Sequence, residues 1–232
     1  MSVLAPIQKL PLPFIAQAMR FVRTLSGVSL IILVAGCSSA YYSALEKVGI
    51  HKRDVLVDRV EEVTEAQEEG QETFRDALEE FRAVLGTPET KLSKAYDRIQ
   101  AAYDDSKAAA ETIRDRVDSV ESVADKLFEE WECELRQYDD ASLRRQSERQ
   151  LNDTRVRYKK MLAQMHKSSS RLDPVLRIMK DQVLYLKHNL NSQALGNLSS
   201  EVRQIDANVS ELIASMRESI QESKRFIDSM AR

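Results

Sequence analysis

A chain of 232 residues that is 43% hydrophobic, 31% charged and 6% aromatic, with 6 Gly and 5 Pro, has too few chain breakers to punctuate a many-stranded fold. Its 34 Lys+Arg against 37 Asp+Glu leave a net charge of −3, which excludes the global positive field of a nucleic-acid binder. Two cysteines and no glycine-rich phosphate cradle exclude a disulfide framework, a paired-cysteine zinc site and a P-loop.

The first element is a leader. Residues 25–36 form a short apolar run, preceded by Arg20 and Arg23 and followed by Cys37. A bilayer-spanning helix needs about 20 apolar residues. The run therefore reads as a secretory signal, with a basic flank, an apolar core and small residues before a cut. Val34-Ala35-Gly36-Cys37 resembles the lipobox of bacterial lipoproteins, in which the cysteine thiol is acylated and the chain is cut just before it. Small side chains at Ala35 and Gly36 let the backbone enter a protease cleft, and the Cys37 thiol is the nucleophile that lipid transfer requires. In that pattern an Asp after the cysteine retains the protein in the inner membrane. Ser38 stands there instead, which implies the outer membrane, facing the periplasm. The stretch before Arg20 is long for a leader and contains Pro11 and Pro13, so translation is expected to start at Met19, with residues 1–18 an extension. The expected division is a signal over 1–36, a lipidated N-terminus and tether over 37–53, and a helical body over 54–232. Cleavage leaves 31 basic and 37 acidic residues, net −6, held to the membrane by lipid.

In the body, Val60, Val63, Gln67, Gly70, Phe74, Ala77, Phe81 and Val84 alternate spacings of three and four, one seam of a helix. Gly70 costs about 1 kcal/mol against Ala inside a helix, so it predicts a close helix contact. Gly86-Thr87-Pro88-Glu89 predicts a stop and a start, with Thr87 as N-cap and Pro88 in the first turn. The second seam runs Leu92, Tyr96, Ile99, Tyr103, Ser106, Ala110, Ile113, Val117, Val120, Ala124, Leu127 and Trp131. Tyr138 to Ser142 is the next turn, with Asp139, Asp140 and Ser142 available to cap. The third seam is expected from Tyr158 through Leu162, Met165, Ser169, Leu172, Leu176, Met179, Val183, Leu186 and Leu190, and it keeps its phase across Pro174. That phase favours a kink in one continuing direction over a new helix. Residues 189–196 form the third turn, and Leu198, Val202, Ile205, Val209, Leu212, Met216, Ser219, Ser223, Phe226 and Met230 complete a fourth helix. Apolar neighbours of the seams, such as Leu56, Leu78, Ile213 and Ile220, widen each stripe beyond a two-stranded coil. The expected fold is all-α: an elongated antiparallel up-and-down bundle of about four long helices with coiled-coil character.

Candidate chemistry is sparse. His51, His166 and His188 are far apart in the chain and lack the spacing of a metal-binding bundle, so no metal and no cofactor are expected. Cys133, between Glu132 and Glu134, has no intrachain partner once Cys37 is acylated, and reads as an inert thiol in preference to a cross-link between copies. From Asp58 to Arg82 ten acids face three arginines, whereas Leu143 to Lys160 carries seven basic residues, Arg144, Arg145, Arg149, Arg155, Arg157, Lys159 and Lys160, and two acids. The basic run is a candidate site for anionic lipid, lipopolysaccharide or cell-wall polymer. The simpler expectation is that opposite-sign helices face each other inside the bundle or across a dimer. Tyr185 to Asn191 is a polar-aromatic cluster near a helix end, where Asn191 is suited to satisfying end carbonyls. No nucleophile, base and orienting group come together, so an enzyme is not expected, nor a small-molecule substrate.

Tyr42 to Asp54, Ser142 to Leu151 and Asp181 to Asn191 together resemble a family of Gram-negative bacterial lipoproteins known only as a domain of unknown function. The resemblance spans the mature chain. It implies an envelope location and a helical fold, and supplies no catalytic or ligand residues. The expected role is a non-enzymatic, lipid-anchored helical scaffold or adaptor, partnered by the membrane through its anchor and by itself or another envelope protein.

Overall fold

The computed structural model describes residues 51–86, 88, 91–189 and 192–231, the side chains of 192–197 excepted. The chain divides after His51, and the structural account concerns the unit that starts at Lys52. Gly36, Cys37, Ser38 and the rest of the expected leader lie outside the described residues.

Five helical segments follow: α1 (Lys52–Val84), α2 (Leu92–Leu135), α3 (Ala141–Ser170), α4 (Leu172–His188) and α5 (Ser192–Met230). Every expected seam residue of α1 and α5 is buried. At Gly70 an added Cβ would stand 2.9 Å from Ile113 Cδ1 and 3.7 Å from Met216 Cε, so the missing side chain is what lets α1 approach both α2 and α5. In α2 the ladder also holds, although Tyr96, Tyr103 and Trp131 are only half-buried, and Ala95, Val123 and Phe128 join the core beside it.

The third seam runs in a different register from the one expected. Its buried ladder is Ser147, Leu151, Thr154, Tyr158, Met161, Met165, Ser168, Leu172, Val175, Met179, Val183 and Leu186. Leu162, Ser169 and Leu176 sit half-buried to one side, and Leu190 lies outside the described residues. Both registers share Tyr158, Met165, Leu172, Met179, Val183 and Leu186 and differ in which flanking neighbour points inward. The inward set is disguised by hydroxyls whose partners come from elsewhere in the structure: Trp131 Nε1 donates to Ser147 Oγ at 2.8 Å, and Gln67 Nε2 to Ser168 Oγ at 2.8 Å.

Pro174 removes one N–H, and its fourth predecessor Ser170 is where α3 ends. Arg171 alone separates the segments; it stays right-handed helical at φ −84°, ψ −10°, and its N–H bonds Ser168 O at 3.1 Å. α3 and α4 therefore form one joined helix of 48 residues, in one continuing direction.

Two connections differ from expectation. α2 begins at Leu92 after Lys91, which has no side-chain cap. Lys91 N–H donates to Pro88 O at 2.8 Å, so Pro88 closes a turn ahead of the helix and does not open its first turn. Thr87 and Glu89 lie outside the described residues. The third connection is shorter than 189–196, because α5 already starts at Ser192 and takes in Gly196. The end of α4 is satisfied by Asn189, whose Nδ2 donates to Tyr185 O at 2.9 Å; Asn191 lies outside the described residues. The middle connection is as expected: Asp140 Oδ1 accepts from the Ser142 and Leu143 amides at 2.6 and 3.2 Å.

α1 packs against α2 and α5, and the α3–α4 helix packs against the same two, so α1 and α3–α4 occupy diagonal corners of an up-and-down four-helix bundle. The cross-helix ion pairs show the antiparallel sense: Glu62 meets Arg116 while Glu80 meets Arg98, and Glu132 meets Arg155 while Asp173 meets Arg114. The main apolar cluster gathers Phe74, Phe81, Ile99, Ile113, Leu172, Met179, Ile205 and Leu212. Nearer the α2–α3 connection a ring stack adds to it, with Phe128 and Tyr158 centroids 5.3 Å apart and Tyr158 and Phe226 6.3 Å apart.

Candidate functional site

The seven basic residues singled out in the sequence all lie on α3, and the fold divides them into two sets. Arg155 reaches back to α2, where its guanidinium bonds Glu132 at 2.6 Å and lies 5.1 Å from the Phe128 ring centre. Lys160 reaches α5 and pairs with Glu222 at 2.9 Å. Donation from Lys160, against the opposing effect of burial and with added attraction from Lys160 and Arg225, holds the Glu222 carboxyl below its ordinary range. Arg157 donates to Thr154 Oγ1 at 3.2 Å. Arg144, Arg145, Arg149 and Lys159 are exposed and have no acidic partner among the described residues.

The acids of α1 do not compensate them. Opposite-sign helices were expected to face each other inside the bundle or across a dimer; inside the bundle they do not, because α1 and α3 stand at diagonal corners and the inward-leaning acids of α1 are matched by α2 and α5. Glu62 pairs with Arg116, Glu80 with Arg98, and Glu68 with Lys224 at 3.1 Å. The rest form an outward row, Asp54, Asp58, Glu61, Glu65, Glu69, Glu72, Asp76 and Glu79, all exposed and with no basic partner among the described residues. Their spacing of mostly three and four is the same helical repeat that the buried seam follows on the opposite side.

The basic character extends past Lys160, where the sequence reading stopped. The joined α3–α4 helix carries twelve Lys and Arg against four Asp and Glu, including exposed Arg177 and Lys180. Counting charge over whole helices would have revealed it. The bundle thus has an acidic corner and, diagonally across from it, a basic one.

Other candidates stand apart. His51, His166 and His188 are exposed; His166 Nε2 lies 2.8 Å from Glu121 Oε1. Among the described residues no group of three or more His, Cys, Asp or Glu is placed to hold a metal ion. Cys133 is exposed, and the Arg136 guanidinium lies 2.9 Å from its sulfur. Tyr158 is deprotonated only with difficulty, chiefly because burial, and then Glu121 and Asp125, push its phenol up. A surface groove of about 500 Å³ between α1 and α2 is lined by Asp76, Glu80, Arg98, Asp105 and a run of alanines. Among the described residues no helix is long and apolar enough to cross a membrane.

No curated protein matches the chain. Residues 41–230 match the family described as Protein of unknown function (DUF2959), and because that match covers most of its length the chain belongs to this family.

Proposed function

We propose that the protein is a lipid-anchored helical scaffold or adaptor of the bacterial envelope, facing the periplasm from the outer membrane and acting without catalysis. The observation that carries the reading is the sequence Val34-Ala35-Gly36-Cys37 at the end of a short apolar leader with a basic flank. Ser38 after the cysteine supports the outer membrane. The bundle supports the scaffold role: its cross-helix side-chain pairs serve packing and register, and its exposed α1 and α3–α4 faces are long and charged, suited to macromolecules.

Mass spectrometry of the natural protein tests the anchor. The mature N-terminus is expected to be an acylated Cys37, and Cys37→Ser is expected to move the protein from the membrane pellet to the soluble fraction. A mature chain that begins upstream of Cys37 and carries no acyl group overturns the reading.

A further inference from the structure

The outer face of the α3–α4 helix is left uncovered by the bundle. Charged groups on its flanks are used within the chain: Arg155 and His166 turn to α2, Lys160 and Lys167 to α5. Between those flanks run Arg145, Arg149, Val156, Lys159 and Arg177, separated by four, seven, three and eighteen residues, each close to a whole number of helical turns. None of these cations has an acidic partner among the described residues. The same helix exposes large apolar side chains, Val156 at 68% and Leu184 at 49%. Uncovered cations beside uncovered apolar groups mark a contact surface better than a solvated charge run does.

The chain itself carries the complement. The outward row of carboxylates on α1 stands at the diagonal corner, too far round the bundle for its own α3–α4 helix to reach. We propose that the outer face of the α3–α4 helix docks against the outer face of α1 in a second copy of this chain. This deepens the scaffold reading and rests on it for the membrane setting alone. The contact is head-to-tail: each copy keeps one acidic and one basic face free, so pairs extend into rows. α1 and α3–α4 run in the same direction, so copies related by translation pack these helices in parallel, displaced along the axis until Arg145 and Arg149, which lie beyond the level of Lys52 in their own copy, come opposite the first acids of α1. The contact is limited by α1, 33 residues and so about 50 Å long at ~1.5 Å per residue and about 10 Å wide, which gives roughly 500 Å² per partner, the size of a weak, reversible contact. So polar a contact forms fast and depends on salt.

Zero-length carbodiimide crosslinking of the full chain, with isotopically light and heavy copies mixed, tests the contact. In 10 mM salt the expected product is a covalent dimer joining Lys159 or Lys180 of one copy to an α1 carboxylate of the other. Its yield should fall at least tenfold in 1 M salt, where the screening length drops from ~30 Å to ~3 Å. Arg145→Glu, Arg149→Glu and Arg177→Glu together should abolish the dimer, as should Glu65→Lys, Glu69→Lys and Glu72→Lys together. Mixing the two triple variants should restore a heterodimer. An Arg→Gln version of the first set, milder toward folding, should give an intermediate yield. A dimer yield indifferent to both sets, or a mixture that does not recover, overturns the proposal. So does a chain that stays monomeric while its arginine face binds phosphatidylglycerol vesicles. Acylation of Cys37 is read in the same preparation: dimers without acyl sink the anchor alone, and acyl without dimers sinks the pairing alone.

Discussion

At Gly70 an added methyl would come within 2.9 Å of Ile113 Cδ1, the far end of a side chain that can turn aside. Alanine would gain about 1 kcal/mol of helix propensity and spend much of it moving that methyl. Gly70→Ala is therefore expected to leave stability within about 1 kcal/mol of the parent, while Gly70→Leu, too large for any such shift, loses about 2 kcal/mol or more. Urea unfolding checks both, and a Leu variant as stable as the parent would refute the close approach. Ser219 makes the opposite case. It is fully buried, and its hydroxyl has no hydrogen-bond partner among the described residues. Ser219→Ala removes an unpaired polar group and improves helix propensity, so it should raise stability by about 1 kcal/mol at unchanged denaturant slope.

At the scale of the element, α3 is started by one carboxylate. Donation from the Ser142 hydroxyl, then from the Leu143 and Ser142 amides, holds Asp140 below its ordinary value of 3.8. Because the folded value is the lower one, the stabilisation is present above the unfolded carboxylate range and is lost as pH falls through the folded value. The protection of the Ser142 and Leu143 amides, taken against the intrinsic exchange rate at each pH, should therefore fall below that value in the parent, and with no such step in Asp140→Asn, which keeps the acceptor and drops the charge. A step that persists in the Asn variant would assign it to another group. The same helix shows where legibility in the sequence ended. α1 and α5 were legible because apolar residues mark nearly every buried turn, and Asp140 because a cap is local. The buried side of α3 was not, because Ser147, Thr154 and Ser168 look like surface residues until their partners are placed beside them. The basic site was half legible: Arg144 to Lys160 stood out as a run, but only the diagonal placement of α1 shows that Arg144, Arg145, Arg149 and Lys159 are left without acidic partners among the described residues.

At the scale of the whole molecule, burial is uneven along the bundle, and local stability should follow it. The half nearer the α1–α2 and α4–α5 connections is lined by the main apolar cluster on α1, α2, α4 and α5, from Phe74 and Phe81 to Leu212 and Met216. Toward the α2–α3 connection the core turns mixed: Gln67, Ser219 and Ser223 are buried there among the apolar residues, and between Ala141 and Gln150 only Ser147 is buried. Segments with few buried apolar contacts open without unfolding the rest, so amide exchange should rank the chain. Amides of 141–150 should exchange first, while 74–81, 99–113 and 202–216 exchange last and together, through global unfolding. If rows of copies form as proposed, crosslinking them should slow exchange at the start of α3 while leaving 74–81, 99–113 and 202–216 unchanged, since these already open only with the whole bundle. Protection spread evenly from 141 to 230 would contradict this account, because it would require the first turns of α3 to be held by contacts that the bundle does not supply.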